Sequence, residues 1–143
     1  MAITSAICNS FKQEILEAEH NFTASSGDTF NLALYDSDAT LNKSTTAYTT
    51  SEELATTGGY TAKGKALTSV TPVLDSDTAV CDFANVSWTS ASFTARGCLI
   101  FNDDNSDTSV CAIDFGGDKT VTSGTFTIEF PAAAASTAII QIA

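Results

Sequence analysis

Five oxygen-bearing side chains between Asp103 and Asp114 fall on the spacing of a calcium-binding loop. Asp103, Asn105, Asp107, Ser109 and Asp114 occupy its positions one, three, five, seven and twelve, and Val110 supplies the apolar residue at position eight. The pattern fails at two places. Position six needs glycine for a sharp turn and is Thr108; position twelve needs a long bidentate glutamate and is the shorter Asp114. The flanking runs, Phe93–Phe101 and Ser109–Phe115, alternate as strands, not helices. The cluster therefore reads as a hairpin turn, because Asn and Asp tolerate left-handed backbone and bond their own amides. A second acidic group, Tyr35–Asn42, follows a strand in the same manner and reads the same way.

No other constellation reads as chemistry. The one histidine, His20, lies beside Glu19 at the end of a predicted helix, where its charge would suit the helix dipole. Glu52 and Glu53 are adjacent, so on a strand they would point to opposite faces and could not act as a glycosidase pair. Cys8, Cys81, Cys98 and Cys111 contain no CxxC pair and read as small buried hydrophobes. Cys98 and Cys111 are expected close together on adjacent strands, with a later disulfide left open. Trp88, Tyr35, Tyr48 and Tyr60 could stack on sugars, but a single Trp in an apolar strand is more often core. Nucleophile elbows, zinc-protease pairs, P-loops and dinucleotide fingerprints are missing from the sequence. No catalytic, cofactor-binding or metal-ligating set is expected, and the chain reads as a non-enzyme.

The elements that carry these residues are mostly strands. Ser5–His20 places Ile7, Phe11, Ile15 and Leu16 at helical spacing, capped by Thr4 or Ser5, and predicts one amphipathic helix within residues 1–20. Phe30, Leu32 and Leu34 then alternate with polar or small residues as a strand with one buried face. Ser37–Lys65 is Thr-rich and irregular, a long surface excursion of the kind that usually has a task. Strands are predicted at Ala66–Val73, Thr78–Phe83, Asn85–Trp88, Ser92–Asn102, Ser109–Phe115, Thr125–Phe130 and Ala138–Ile142. Residues 1–143 thus form a single all-β domain: an antiparallel sandwich or barrel of about eight strands over 26–143, with one N-terminal helix.

Composition narrows the partners. Seventeen acidic side chains against five Lys and the lone Arg96 give a formal charge of −11. Such a surface repels nucleic-acid phosphates and anionic membranes. No apolar run approaches the ~20 residues that span a bilayer. Lys12 follows the apolar N-terminal residues instead of preceding them, so neither a signal peptide nor a lipid anchor is expected, and the thiols are expected to start reduced.

The order of segments also carries a resemblance. "MAITSAICNSFKQEIL", "GDTFNLALY", "TTAYTTSEEL", "GYTAKGKALTSVTP", "SFTARGCLIFN", "AIDFGGDKTVTSGTFTIEFP" and "AIIQIA" resemble small structural proteins of tailed bacteriophages, notably of aquatic bacteria, along essentially the whole chain. The resemblance implies a virion location and, for a β-rich protein of this size, capsid decoration: a cement protein bound to the major capsid protein as a homo-oligomer, for which a trimer at a three-fold position is a natural arrangement. It transfers no specific binding residues. A tail, baseplate or fibre component and a carbohydrate-binding β-sandwich module are the alternatives. The N-terminal helix or the 37–65 excursion is expected to make the contact, with the β body supplying rigidity.

Overall fold

The computed structural model describes residues 2–143. The elements run β1 (Ala6–Ile7), α1 (Asn9–Leu16), β2 (Phe30–Tyr35), β3 (Lys65–Ala66), β4 (Ser69–Asp75), β5 (Thr78–Phe83), β6 (Val86–Asn102), β7 (Thr108–Ile128) and β8 (Ile140–Ile142). Their eight strands form two antiparallel sheets, β1-β7-β6-β2-β3 and β4-β5-β8. The all-β class with one N-terminal helix therefore holds. No helix among the described residues is long and apolar enough to cross a membrane.

A single hairpin dominates the larger sheet. The 17 residues of β6 span roughly 55 Å at strand rise. They pair with β7 from Val86↔Ile128 to Asn102↔Thr108. The four separate strands expected in this region are thus two. Asn85–Trp88 and Ser92–Asn102 fuse into β6, while Ser109–Phe115 and Thr125–Phe130 fuse into β7. Gly and Ser residues that resemble turns in the sequence are bulges here. The register shifts between Trp88 and Ala91, between Ala91 and Phe93, and between Ala95 and Gly97. Ser90, Gly116 and Ser123 take positive φ beside those shifts. A bulge absorbs extra residues without ending the strand, because pairing resumes on either side of it.

The helix is shorter than the periodicity predicts. Residues 6–7 are drawn into β1, opposite Ala112 and Cys111, so the helix starts at Asn9 with Cys8 at the N-cap and no side-chain cap from Thr4 or Ser5. It ends at Leu16, and Ala18 turns the chain away at φ 61°. Phe11 is buried against the sheet, whereas Leu16 is 88% exposed and drops out of the core stripe.

β2 corrects a second expectation: it is buried on both faces. Phe30, Leu32 and Leu34 join Cys98, Ile100, Trp88, Phe22 and Phe83 in the main core, beneath α1 and the small sheet. Ala33 and Tyr35 face the other way, into a second core with Leu41, Leu99, Phe101 and Ile3. The excursion and the N-terminus lie over that second face. Two approaches make the cover close. At Gly64, φ +67°, a Cβ would meet the Leu32 carbonyl oxygen at 1.8 Å; at Gly97 it would meet the Ile3 side chain at 2.7 Å.

Candidate contact surface

The acidic turn is organised by a lysine forty residues upstream. Lys63 Nζ donates to Asp103 Oδ1 at 2.9 Å and to Asp107 Oδ1 at 3.0 Å, and lies 5.7 Å from the Tyr48 ring centroid and 5.9 Å from that of Phe101. Those two hydrogen bonds push the Lys63 pKa up. The other loop residues disperse. Asn105 Nδ2 donates to the Glu19 carbonyl and side chain, and Ser109 Oγ donates to the Thr45 carbonyl. Asp114 accepts from the Gly116 amide and from Arg96 Nε, and both hold its carboxyl below the usual range. The calcium-loop spacing therefore never converges on one point; a cation is already present, covalently attached as Lys63.

Glu53 fastens the excursion. Its Oε2 accepts from the Tyr48 hydroxyl at 2.5 Å, and its Oε1 accepts from the Tyr60 hydroxyl at 2.6 Å and the Lys63 amide at 2.7 Å. Tyr60 in turn accepts the Leu34 amide of β2 at 3.0 Å, and the Tyr35 hydroxyl donates to the Thr49 carbonyl at 2.7 Å. The 37–65 excursion is thus bolted to the sheet by buried tyrosines, and most of its large side chains face inward. Glu53 works alone here: Glu52 is exposed at φ 60°.

His20 is buried, not poised at a helix end. Its Nε2 lies 2.9 Å from Glu14 Oε2, and its Nδ1 lies 3.0 Å from Asn102 Nδ2. Asn102 Oδ1 accepts the Asp104 amide and its Nδ2 also donates to Asp28, which fixes the amide orientation. The imidazole therefore carries its proton on Nε2 and accepts at Nδ1. Both nitrogens are engaged, so neither is free to take a proton from a substrate. The helix-dipole role expected of His20 gives way to a side-chain contact with Glu14, because the helix ends at Leu16 and the chain reverses after it.

The thiols are free. Register places Cys98 opposite Ile113 and Cys111 opposite Ile100, so the two are diagonal, not directly paired. Burial raises the pKa of all four, Cys81 to about 11 and Cys111 to about 12. Trp88, Tyr35 and Tyr60 are at most 2% exposed and Tyr48 stacks on Phe101, so these aromatics offer no platform for a sugar. The carboxylates of Asp36, Asp38 and Glu52 do approach one another, with ligand atoms within 4.8 Å. That is half the oxygen set a calcium ion takes, in an exposed turn whose Asp38 amide already bonds Asp36.

What remains open is apolar. β7 pairs with β1 only at Cys111 and Ala112. Beyond that point an open groove of about 480 Å³ runs beside it, lined mainly by Ile113, Phe115, Phe126, Ile128, Phe130 and Ile139, with the charged Lys119 and Glu129 also on its wall. A second groove of about 410 Å³ separates α1 from the small sheet, between Phe11 and Ile15 on one side and Cys81, Ile140 and Ile142 on the other. Leu16, Val73, Leu74 and Ile142 are more than half exposed.

Charge is distributed unevenly over this surface. Leu54–Leu74, Phe83–Asn102 and Lys119–Ile128 contain no Asp or Glu, although the chain has seventeen. These segments meet: Ser92 donates its amide to the Gly58 carbonyl, and Lys65 Nζ donates to the Ser87 carbonyl. They form the half of the β6–β7 ribbon far from the acidic turn, with Ser87–Thr127 and Thr94–Thr120 hydroxyl pairs on its outer face. Around the turn, by contrast, Glu14, Glu19, Asp28, Asp103, Asp104 and Asp107 are gathered by the bonds described above. Comparison with known proteins found no matching family model, curated protein or solved structure.

Proposed function

We propose that the chain is a structural protein of a tailed-phage virion, a decoration protein that binds the outer surface of the major capsid protein lattice as an oligomer and stabilises the head. The observation that carries the adhesive part of this reading is the carboxylate-free ribbon half. Such a face lets a protein of charge −11 dock without desolvating its carboxylates, and this one is apolar along one side and hydroxyl-covered on the other. The virion assignment itself is supported by the resemblance of the sequence segments to phage structural proteins.

The arrangement of the polar groups favours adhesion over catalysis. His20, Glu53 and Tyr60 are engaged by partners within the protein, and Lys63 is held between Asp103 and Asp107, so these groups serve to hold shape. The contact is assigned to the ribbon and its grooves in preference to the excursion, whose tyrosines are committed inward. Many copies, each weakly bound, would add up through multivalency on a symmetric lattice.

The test is the amount of this chain in purified particles, measured by quantitative mass spectrometry. A decoration protein is present in fixed proportion to the major capsid protein. A tail, baseplate or fibre component is present in far fewer copies, and that result would move the assignment to the alternative.

A further inference from the structure

The side chain of His20 has no exposed surface, and the rings of Phe11, Phe22 and Phe30 lie 4.9, 6.4 and 6.2 Å from it, centroid to centroid. The titratable groups that face it are Glu14 on α1, Asp28 on the chain before β2 and, one bond further out, Asp104 on the β6–β7 turn; Cys81 lines the adjoining groove from β5. Glu19, its chain neighbour, is bonded to Asn105 instead. Among the described residues no Lys or Arg forms an ion pair with Glu14, Asp28 or Asp104. A protonated His20 would be the one cation in an acidic pocket.

Asn102, also fully buried, decides what a second proton on that ring can do. In the neutral ring Nε2–H donates to Glu14 and Nδ1 accepts from Asn102 Nδ2. Once protonated, Nδ1 is a donor as well, and two donors 3.0 Å apart oppose each other. Turning the carboxamide over brings no relief. Its Nδ2 also donates to Asp28 Oδ2 at 2.9 Å and its Oδ1 accepts the Asp104 amide at 3.1 Å, so a turned group would set oxygen against carboxylate and NH2 against N–H. The ring stays in place, because Glu14 holds an imidazolium more strongly than a neutral imidazole. Asn102 must therefore part from its partners.

Those partners join two distant segments. Asp28 Oδ2 also accepts the Asn21 amide at 2.8 Å, and Asp104 Oδ2 accepts the Thr29 amide at 2.6 Å. The Asp103 amide donates to the Thr29 carbonyl at 2.9 Å, so residues 20–29 and the acidic turn meet at Asn102.

We infer that His20 and Asn102 form a proton-operated latch: a proton taken up at His20 Nδ1 displaces Asn102 Nδ2 and releases the Asp28–Asn102–Asp104 tie that fastens residues 20–29 to the acidic turn. The latch is a property of the isolated chain and is independent of the virion assignment.

The test follows the full chain by NMR from about pH 8 to about pH 5.5, a range in which imidazole is the one side chain whose ordinary charge change falls. The thiols stay neutral throughout, with Cys81 at about 11 and Cys111 at about 12. The N-terminal amine titrates in the same range, and His20→Gln, which keeps a donor for Glu14 without the titration, is the control. At the alkaline end the imidazole nitrogen shifts should report the Nε2–H tautomer. On acidification the ring should gain its second proton, and protection of the Asp104 amide, corrected for the pH dependence of chemical exchange, should fall on the order of fivefold, the loss of one hydrogen bond. The Leu34 amide, held by Tyr60, should be unchanged. Asn102→Asp puts an acceptor against Nδ1 while still accepting the Asp104 amide, and should abolish the fall; wild type and His20→Gln decide the matter if that variant does not fold. A ring that stays neutral to the acid end, an Nδ1–H tautomer at the alkaline end, or an imidazolium that leaves Asp104 as protected as before overturns the proposal. So does an equal loss of protection in His20→Gln. Particle copy number decides the virion reading separately.

Discussion

The Tyr60 hydroxyl donates to Glu53 Oε1 at 2.6 Å while it accepts the Leu34 amide at 3.0 Å, so one oxygen joins the surface excursion to β2 of the larger sheet. Tyr60→Phe removes that oxygen and leaves a buried Leu34 amide without a partner, a loss of about 1–3 kcal/mol. Glu53→Ala deprives Tyr48, Tyr60 and the Lys63 amide of their acceptor together and should cost about 3 kcal/mol or more. Both values are read from urea denaturation. A change below about 0.5 kcal/mol for either variant would mean that the excursion is not fastened in this way.

Alkaline pH should loosen the same clamp. Burial, and then the bond to Glu53, push the Tyr48 pKa up to about 12, and burial raises Tyr35 and Tyr60 further. An unfolded tyrosine titrates near ~10. With the folded value above the unfolded one, stability is fully present below pH ~10 and falls as pH rises through 12, by up to ~1.4 kcal/mol per pH unit for each tyrosine. Urea midpoints measured across this range should decline, less steeply in Tyr48→Phe. A flat profile would contradict the buried clamp.

The cysteines should react in a fixed order. Cys81 is half-buried, whereas Cys8, Cys98 and Cys111 are buried, and all four thiols are shifted away from the thiolate. Iodoacetamide at pH 8 should modify Cys81 first and slowly, with all four reacting in denaturant without reductant. Only two reactive thiols in denaturant would reveal a Cys98–Cys111 disulfide that the diagonal register disfavours.

Calcium should be indifferent to the acidic turn. Because Lys63 already bridges Asp103 and Asp107, adding calcium should leave the thermal midpoint within about 1 °C. A calcium-dependent rise of several degrees that persists in Asp38→Asn and is lost in Asp103→Asn would restore the metal-loop reading of Asp103–Asp114.

Much of the architecture was legible where the pattern is local. Phe30, Leu32 and Leu34 alternate and do form a strand, and the predicted strand Thr78–Phe83 matches the observed one. Where two distant segments cooperate, local signals misled. Gly116, Gly117, Ser123 and Gly124 resemble turns, yet β6 lies alongside and carries β7 across them as bulges. The burial of the second face of β2 depends on Ile3 from the N-terminus and on Ala39, Leu41 and Tyr48 from the excursion. Lys63 and Glu53 carried no recognisable spacing, because the groups they bind come from three separate parts of the chain. Ile7 has helical spacing from Phe11, but it pairs with Cys111 at the edge of β7 instead.

The central claim, that the chain serves by adhesion as a building part of a phage particle, is tested most directly by counting it. Particles produced from the genome that encodes it should be purified and the ratio of this chain to the major capsid protein measured. The account predicts a fixed ratio that survives gradient purification. Particles that are complete and infectious yet contain none of the chain would contradict it.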